Sequence, residues 1–143
     1  MIHNYTIYPI GEIEKRGDKT VLRIYGEYRT GLLGIEEFSH LIVCFWFDRN
    51  DTPERRAVLK VHPRKDPGIP LHGVFATRSP LRPNLIGMSI CRIIALREGI
   101  IEVDRTDALD GTPIIDIKPY IPQSDVVSGA VVPDWIHRPW PKK

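Results

Sequence analysis

The sequence predicts a mainly β protein, a small β-barrel with short helical turns and long loops. Short runs rich in β-branched and aromatic residues recur along the chain, and prolines and glycines separate them. Helical periodicity is weak everywhere. Many short strands leave many sheet edges, and closure into a barrel is the natural way to protect them.

The strands are expected at residues 7–14, 20–26, 40–47, 57–62, 86–96, 100–103 and 113–120. The first two form a hairpin around Gly17-Asp18, and another turn lies at Glu98-Gly99. The third reads HLIVCFWF, and such a continuous apolar run predicts a strand buried on both faces, one of which a partner subunit can cover. Residues 73–77 are expected to be short and extended.

Length and composition bound the class of protein. The 143 residues suit a single domain over residues 1–143, with an irregular tail from about residue 122. No apolar run approaches the length of a membrane span, and the N-terminus lacks a signal-peptide pattern. Cys44 and Cys91 lie in separate apolar runs and are interpreted as buried free thiols of a reducing cytosol. We therefore expect a cytoplasmic protein that does not enter a membrane.

Positive charge is concentrated in the middle of the chain. The net charge is +2, yet residues 48–92 hold nine Lys and Arg residues against four Asp and Glu residues. Such a concentration can steer phosphate-bearing partners. Charge alone fits a solvated basic face equally well.

Residues 77–84, TRSPLRPN, combine two arginines and an asparagine in a loop that prolines stiffen. A stiff loop loses little entropy when it binds a ligand. Arg78 and Arg82 offer planar forks that suit carboxylates and phosphates, and Asn84 offers both a donor and an acceptor. A structural loop held by Arg–Asp pairs is the alternative, but the cluster as a whole favours ligand binding.

Residues 107–113, DALDGTP, predict a tight turn. Asp110 can cap it, Gly111 can take a positive φ, and the backbone N–H groups are expected to point outward towards a small ligand. An ordinary Asx turn fits the same residues.

The strand after this turn carries three polar side chains on one face. Asp116, Lys118 and Tyr120 alternate with Ile115 and Ile117, so the two sets are expected on opposite faces. The polar face is either solvated or, because it follows the DGTP turn, part of a site.

No metal site is predicted. The five histidines and two cysteines show no zinc-ligand spacing. A nucleophile elbow, the glycine fingerprint of a Rossmann fold and a Walker phosphate loop are also missing from the sequence.

Five segments, in order, resemble the TrmO family, also called TsaA-like or YaeB-like proteins. They are PIG at 9–11, GIEEFSH at 34–40, GVFATRSP at 73–80, RPN with IGMS within 82–89, and DGTP with DIKPY within 110–120. They cover most of the chain and are specific as a set.

The resemblance implies an S-adenosylmethionine (SAM)-dependent methyltransferase on a small β-barrel, unlike the Rossmann methyltransferases. Members of the family methylate N6 of threonylcarbamoyladenosine beside the tRNA anticodon, and they work as homodimers with the cofactor near the subunit interface. We therefore expect SAM as cofactor, tRNA as partner and a homodimer. Carried over by motif, the SAM contacts are Asp48, Arg49, Arg78, Ile86, Leu109, Asp110, Gly111 and Thr112.

The chemistry implied by this resemblance needs alignment and a proton acceptor. Methyl transfer from a sulfonium is an in-line displacement, so alignment supplies most of the catalysis. The acceptor N6 is a poor nucleophile, and a carboxylate base is expected, Asp116 first and Asp48 second. Tyr120 or a tryptophan is expected to stack on the extruded base. The substrate contacts are expected from Arg82, for the threonyl carboxylate, and from Asn84 and Lys118.

Three other classes remain open for these residues. One is a SAM-binding regulator without transferase activity, and another is a nucleic-acid-binding barrel without a cofactor. The third is a SAM methyltransferase with a different acceptor. Methylated product, SAM binding and salt-dependent tRNA binding distinguish them.

Overall fold

A closed barrel of antiparallel strands dominates the computed structural model, which describes residues 3–140. Six strands form it: β1 (Gly11–Arg16), β2 (Lys19–Ile24), β3 (His40–Trp46), β6 (Ile86–Arg97), β7 (Ile100–Val103) and β8 (Pro113–Pro119). Their order around the barrel is β1-β2-β7-β6-β3-β8, and β8 pairs with β1 to close it. The predicted mainly β barrel is confirmed, and both predicted hairpin turns join paired strands.

The chain divides into two compact units. The barrel unit takes in the chain up to Asp48 and Ile86–Tyr120, and the loop unit takes in Arg49–Leu85 and the chain from Ile121. The loop unit has little regular structure: α1 (Pro53–Arg56), β4 (Lys60–Val61), β5 (His72–Gly73) and α2 (Pro122–Asp125), with short 3-10 turns between them. A single functional domain over residues 1–143 stays a prediction.

Two strand predictions in the loop unit were too long. The predicted strand at 57–62 shrinks to β4, and residues 74–76 of the supposedly extended segment form a 3-10 turn. Among residues 3–140, β4 and β5 pair only with each other. So short a ladder has few backbone hydrogen bonds, and the loop unit instead buries Ile69, Val74 and Leu85.

The barrel core follows the alternation of the strands. Leu41, Val43 and Phe45 of β3 are fully buried, whereas Ile42 and Cys44 between them are only partly covered. The prediction that β3 is buried on both faces is therefore wrong for the described chain. Its outward residues lie beside outward residues of β6 and β8 and stay partly exposed. The other large core residues are Ile13, Leu22, Ile24, Ile101 and Ile114.

A β-bulge in β8 shifts its side chains relative to the predicted alternation. The register slips between Cys44 and Phe45, whose partners are Asp116 and Ile114. Ile114 is consequently the fully buried residue, and Ile115 is the extra residue of the bulge. The prediction that Ile115 lies on the same face as Ile117 is wrong for this reason.

The glycine of the IGMS segment, Gly87, leaves room for two aromatic rings. A Cβ at this position would lie 2.5 Å from the ring of Phe45 and 2.6 Å from that of Phe47. Only glycine allows these two aromatic rings, which meet edge to face at 5.4 Å, to pack against β6.

No helix within residues 3–140 is long and apolar enough to cross a membrane.

Candidate functional site

The turn at residues 109–112 is anchored to β1. The N–H of Gly111 donates to the carbonyl of Ile13 at 2.7 Å, and Ile13 N–H donates to the carbonyl of Thr112 at 2.9 Å. Asp110 Oδ1 accepts from the Lys15 N–H at 2.8 Å. Because three hydrogen bonds join it to a barrel strand, the turn is held in one conformation before any ligand arrives.

Gly111 takes the predicted positive φ, +82°, but two other details of the turn differ from expectation. The Asp110 carboxylate accepts from a backbone N–H of β1 instead of capping its own turn. The N–H groups of Gly111 and Thr112 have internal acceptors instead of pointing outward, and the buried Thr112 hydroxyl also donates to the Leu109 carbonyl at 2.6 Å. Within the described residues, the amides of Leu109 and Asp110 have no acceptor and are the ones open to a ligand.

The loop before the turn is fixed to β6. Ser89 Oγ accepts from the N–H of Asp107 at 3.2 Å, and the Thr106 hydroxyl accepts from the N–H of Ala108 at 3.2 Å. Asp104 Oδ1 accepts from the N–H of Arg92 at 2.8 Å, and this hydrogen bond holds the pKa of Asp104 below its usual range. The sequence motifs predicted the turn but not these supporting hydrogen bonds. The only sign of them in the sequence is the presence of small polar side chains.

The remaining predicted SAM residues of the barrel unit are exposed. Leu109 is 55% exposed and Ile86, the first residue of β6, is 47% exposed. Asp48 is exposed at the end of the barrel unit. The barrel unit therefore offers two exposed apolar side chains and an exposed carboxylate to a ligand.

The predicted polar face of β8 holds an ion pair. Lys118 Nζ lies 3.2 Å from Asp116 Oδ2, and Asp116 Oδ1 accepts from the N–H of Ile117 at 2.9 Å. Both charged side chains are at least half exposed. Tyr120 follows the end of β8, and its ring centroid lies 6.3 Å from that of His40. The structure thus joins Asp116 to Lys118 directly and places Tyr120 beside a residue of β3.

Hydrogen bonds to its own hydroxyl groups hold the Thr77–Asn84 loop of the loop unit. Thr77 Oγ1 accepts from the N–H of Ser79, and Ser79 Oγ accepts from the N–H of Leu81, both at 3.1 Å. Arg56 Nε donates to the Pro83 carbonyl at 2.8 Å, and Asn50 Nδ2 donates to the Pro80 carbonyl at 3.1 Å. The alternative considered from the sequence was a structural loop held by Arg–Asp pairs. In the structure, hydrogen bonds to hydroxyl and carbonyl groups hold the loop instead.

The two arginines of this loop differ in what they contact. Arg82 Nη1 donates to the carbonyls of Thr77 and Ser79, each at 3.1 Å, and so braces the loop. Arg78 is exposed and has no hydrogen bond or ion pair within residues 3–140. Asn84 is likewise exposed, and Arg49 contributes its carbonyl, which accepts from Arg55 at 2.8 Å. Arg78 is therefore the open cation of the loop.

The two thiols differ in environment. Cys91 is fully buried, and desolvation raises the pKa of its thiol to about 11. Cys44 is only half-buried, which corrects the prediction for this residue; desolvation and the nearby Asp116 carboxylate raise its pKa. Both are free cysteines. Among the described residues, no three His, Cys, Asp or Glu side chains are grouped so that they could hold a metal ion.

The fold and the anchored turn define a small antiparallel β-barrel domain, distinct from the parallel sheet of Rossmann proteins. The family model of the tRNA-methyltransferase O N-terminal domain matches residues 5–126. The chain therefore belongs to the TrmO family.

Individual relatives agree with this assignment. A probable S-adenosyl-L-methionine-binding protein of Methanocaldococcus jannaschii is 49% identical over 114 residues, which are 80% of this chain and 90% of the relative. The human tRNA (adenine(37)-N6)-methyltransferase is 38% identical over 111 residues, 78% of this chain but 24% of the human protein. A crystal structure of TrmO aligns with a TM-score of 0.70 and 32% identity, covering 91% of this chain. The chain spans 64% of that crystal structure's own length.

Proposed function

We propose that this chain is a SAM-dependent methyltransferase acting on N6 of adenine 37 of tRNA, and that this adenine carries a threonylcarbamoyl group. The observation that carries the proposal is the family match over residues 5–126. The name of the human relative supports the adenine acceptor, and that of the Methanocaldococcus relative supports SAM. The threonylcarbamoyl group is the finer part of the proposal and rests on the motif resemblance.

The exposed groups of the barrel unit suit the chemistry of SAM. Leu109 and Ile86 offer apolar surface for the adenine ring, and the open amides of Leu109 and Asp110 offer donors for its acceptor atoms. Gly111 lets the backbone approach a ligand closely, Thr112 shapes the turn from inside, and the Asp48 carboxylate suits the ammonium group. When bound, SAM supplies a methyl group on a positively charged sulfonium.

The loop unit offers cations for acidic groups. Arg78 and Arg49 are exposed and suit a carboxylate or a phosphate. Arg82 uses only Nη1 on the loop carbonyls, and its Nε and Nη2 have no acceptor among the described residues. That edge of the guanidinium is the fork that we assign to the threonyl carboxylate of the substrate, with Asn84 beside it in the sequence.

Asp116 is proposed as the base that accepts the N6 proton. Both of its oxygens are engaged, one by Lys118 and one by the backbone, so the substrate must compete with Lys118 for Oδ2. Lys118 thereby becomes free to contact an anionic substrate group. Tyr120 is proposed to stack on the acceptor base, a role that its partly covered ring permits.

The proposed homodimer has an apolar surface available on the barrel unit. On the outer face, Ile42 pairs with Ile90 and Cys44 with Met88. Met88 and Ile90 remain 40% and 43% exposed. Apolar neighbours on adjacent strands form a continuous patch, which a second copy of the chain would remove from water.

A single substitution tests this dimer. Met88→Lys places a charge in the patch, and we expect sedimentation to report a monomer where the wild-type chain is a dimer. Glu36→Lys, which reverses a charge on an exposed 3-10 turn, is the control and is expected to leave the mass unchanged. A wild-type monomer, or a dimer that tolerates Met88→Lys, contradicts the proposed interface.

The activity is tested with labelled methyl SAM and two preparations of tRNA, one with and one without the threonylcarbamoyl group. We expect label to enter only the modified tRNA and to be found on N6 by mass spectrometry. Label in both preparations would overturn the threonylcarbamoyl specificity alone. Binding of SAM in calorimetry without any labelled tRNA would instead favour a SAM-binding module without transferase activity, the class for which the Methanocaldococcus relative is named.

A further inference from the structure

The C-terminal segment of the loop unit is tied to Arg64. Its Nη1 donates to the carbonyls of Trp135 and Arg138, at 3.3 and 2.6 Å, and its Nη2 donates to the carbonyl of Ile136 at 2.9 Å. A second hydrogen bond ties this segment to the loop unit: Arg138 Nη1 donates to the carbonyl of Gly68 at 3.4 Å. We call residues 134–140 the strap. It lies beyond residues 5–126, which the family model matches.

Two indole rings flank the same guanidinium. The Arg64 Cζ atom lies 4.4 Å from the ring centroid of Trp140 and 5.6 Å from that of Trp135. Trp135 is further packed edge-on against His72 at 5.5 Å and is partly buried, whereas Trp140 stays 70% exposed. Trp135 is therefore the anchor of the strap, and Trp140 is an open aromatic surface with a cation beneath it.

The backbone at Arg64 is strained in a way that serves this arrangement. Arg64 and Lys65 have φ values of 59° and 56°, in the left-handed region that side chains other than glycine rarely adopt. Such a conformation persists only where the surrounding structure determines it, and it is frequent at binding sites. Here the residue in this conformation is the one whose guanidinium holds the strap.

The charge of the loop unit identifies the kind of partner that fits. Its ranges hold eleven Lys and Arg residues against five Asp and Glu residues, a net charge of +6, whereas those of the barrel unit hold nine against thirteen, a net charge of −4. An exposed aromatic ring within a basic unit is the combination that binds single-stranded nucleic acid, because the bases stack while the cations contact phosphates.

We propose that Trp140, backed by Arg64, is a stacking platform for an unpaired RNA base, and that the strap positions it. This inference rests on the proposed function for the identity of the RNA, a tRNA whose anticodon loop offers unpaired bases. The platform shares no residue with the set proposed to bind SAM. Trp140 contacts the RNA, and Arg64 is a positioning residue that also contributes charge.

The test compares Trp140→Leu with Trp140→Phe. Both keep the charge and an apolar side chain, but only phenylalanine keeps a ring. The probes are unmodified oligoadenylate of eight nucleotides and unfractionated tRNA, at several salt concentrations. We expect Trp140→Leu to bind both about five- to a hundredfold more weakly, with Trp140→Phe close to the wild type. The slope of log affinity against log salt should be the same in all three, because no charge is removed.

Two further measurements keep the result interpretable. Thermal unfolding shows whether Trp140→Leu retains the fold, and Arg64→Lys, which keeps the charge but loses the fork that holds three carbonyls, is expected to weaken RNA binding as well. Wild-type affinity in Trp140→Leu, a changed salt slope, or no binding of oligoadenylate by the wild-type chain would overturn the platform.

Oligoadenylate separates this inference from the proposed function, since it carries neither a tRNA fold nor a threonylcarbamoyl group. Ring-dependent binding of oligoadenylate without methyl transfer to tRNA would leave the platform standing and remove the proposed function. Methyl transfer that is unchanged in Trp140→Leu, together with unchanged RNA binding, would do the reverse.

Discussion

The backbone N–H of Lys15 donates a 2.8 Å hydrogen bond to Oδ1 of Asp110, which lies ninety-five residues later in the chain. This bond holds the turn that carries the proposed SAM contacts against the first strand of the barrel. Asp110→Ala is expected to lower the free energy of unfolding by about 0.5–1 kcal/mol, because the site is exposed and water can replace the acceptor.

Asp110→Asn is the matched variant, since its amide oxygen keeps the acceptor for Lys15 but removes the charge. We expect its stability in urea to match that of the wild type and its SAM affinity to fall on the order of tenfold in calorimetry. Equal SAM affinity in Asp110→Asn and wild type would mean that the carboxylate serves the turn alone.

Gly111→Ala tests the conformation of the same turn. With φ at +82°, a Cβ strains the backbone, and the free energy of unfolding is expected to drop by about 1–2 kcal/mol. Gly31→Ala is the control, because an added Cβ there meets nothing within 4 Å and φ is not positive; its effect should stay within about 0.5 kcal/mol. Equal effects of the two substitutions in urea denaturation would contradict the role of the positive φ.

The sequence predicted the barrel well because alternation and turn chemistry are local. β6 and β7 were predicted to within a residue, and the Glu98-Gly99 turn joins them. The β8 bulge was missed because a single inserted residue depends on which strand faces it, here on the slip between Cys44 and Phe45. The two-sided burial of β3 was predicted wrongly because an apolar run does not show what covers its outer face: Ile42 and Cys44 pair with Ile90 and Met88, which are themselves exposed.

The candidate site was predicted in type but not in its supports. The motif around Asp110 and Gly111 marked the turn, yet no pattern in the sequence shows that the Lys15 backbone holds it. The strap escaped notice for a similar reason. The sequence predicted only an irregular tail, since the contact of Arg64 with Trp140 joins residues far apart that no local pattern relates.

The two arginines of the Thr77–Asn84 loop should behave differently on substitution. Arg82→Ala removes a donor that braces two carbonyls, so we expect a lower melting temperature, with about 1–3 kcal/mol lost. Arg78→Ala removes an exposed side chain without a partner in the described chain, and its melting temperature should not change.

Kinetics complete the comparison of these arginines. Arg78→Ala is expected to raise KM for SAM or tRNA while the fold stays intact, and Arg78→Lys should restore little if the planar fork binds a carboxylate or phosphate. Unchanged kinetics in Arg78→Ala would remove it from the binding set.

The outer side of the β1-β2 hairpin carries an ion-pair network whose strength depends on pH. Arg23 hydrogen-bonds Glu14 and also pairs with Glu12 at 2.6 Å, while Arg16 pairs with Glu14 at 2.7 Å. The hydrogen bond from Arg23, followed by that from Arg16, holds the pKa of Glu14 below its usual range. A carboxyl group whose pKa is lowered in the folded state stabilises the fold above its unfolded pKa, and the contribution is lost as pH falls through the folded pKa.

Glu14→Gln should therefore lower the free energy of unfolding near neutral pH by less than about 1 kcal/mol, since the network is partly exposed and screened. The difference from wild type should shrink as the pH falls below about 4.3, the ordinary pKa of an unfolded glutamate, and disappear once the pH has passed the lower pKa of the folded state. Urea midpoints from pH 7 to pH 3 measure this, with Glu36→Gln, a carboxylate without an ion pair in the described residues, as the control. A Glu14→Gln difference that is constant with pH would show that the side chain stabilises the hairpin by packing and not by charge.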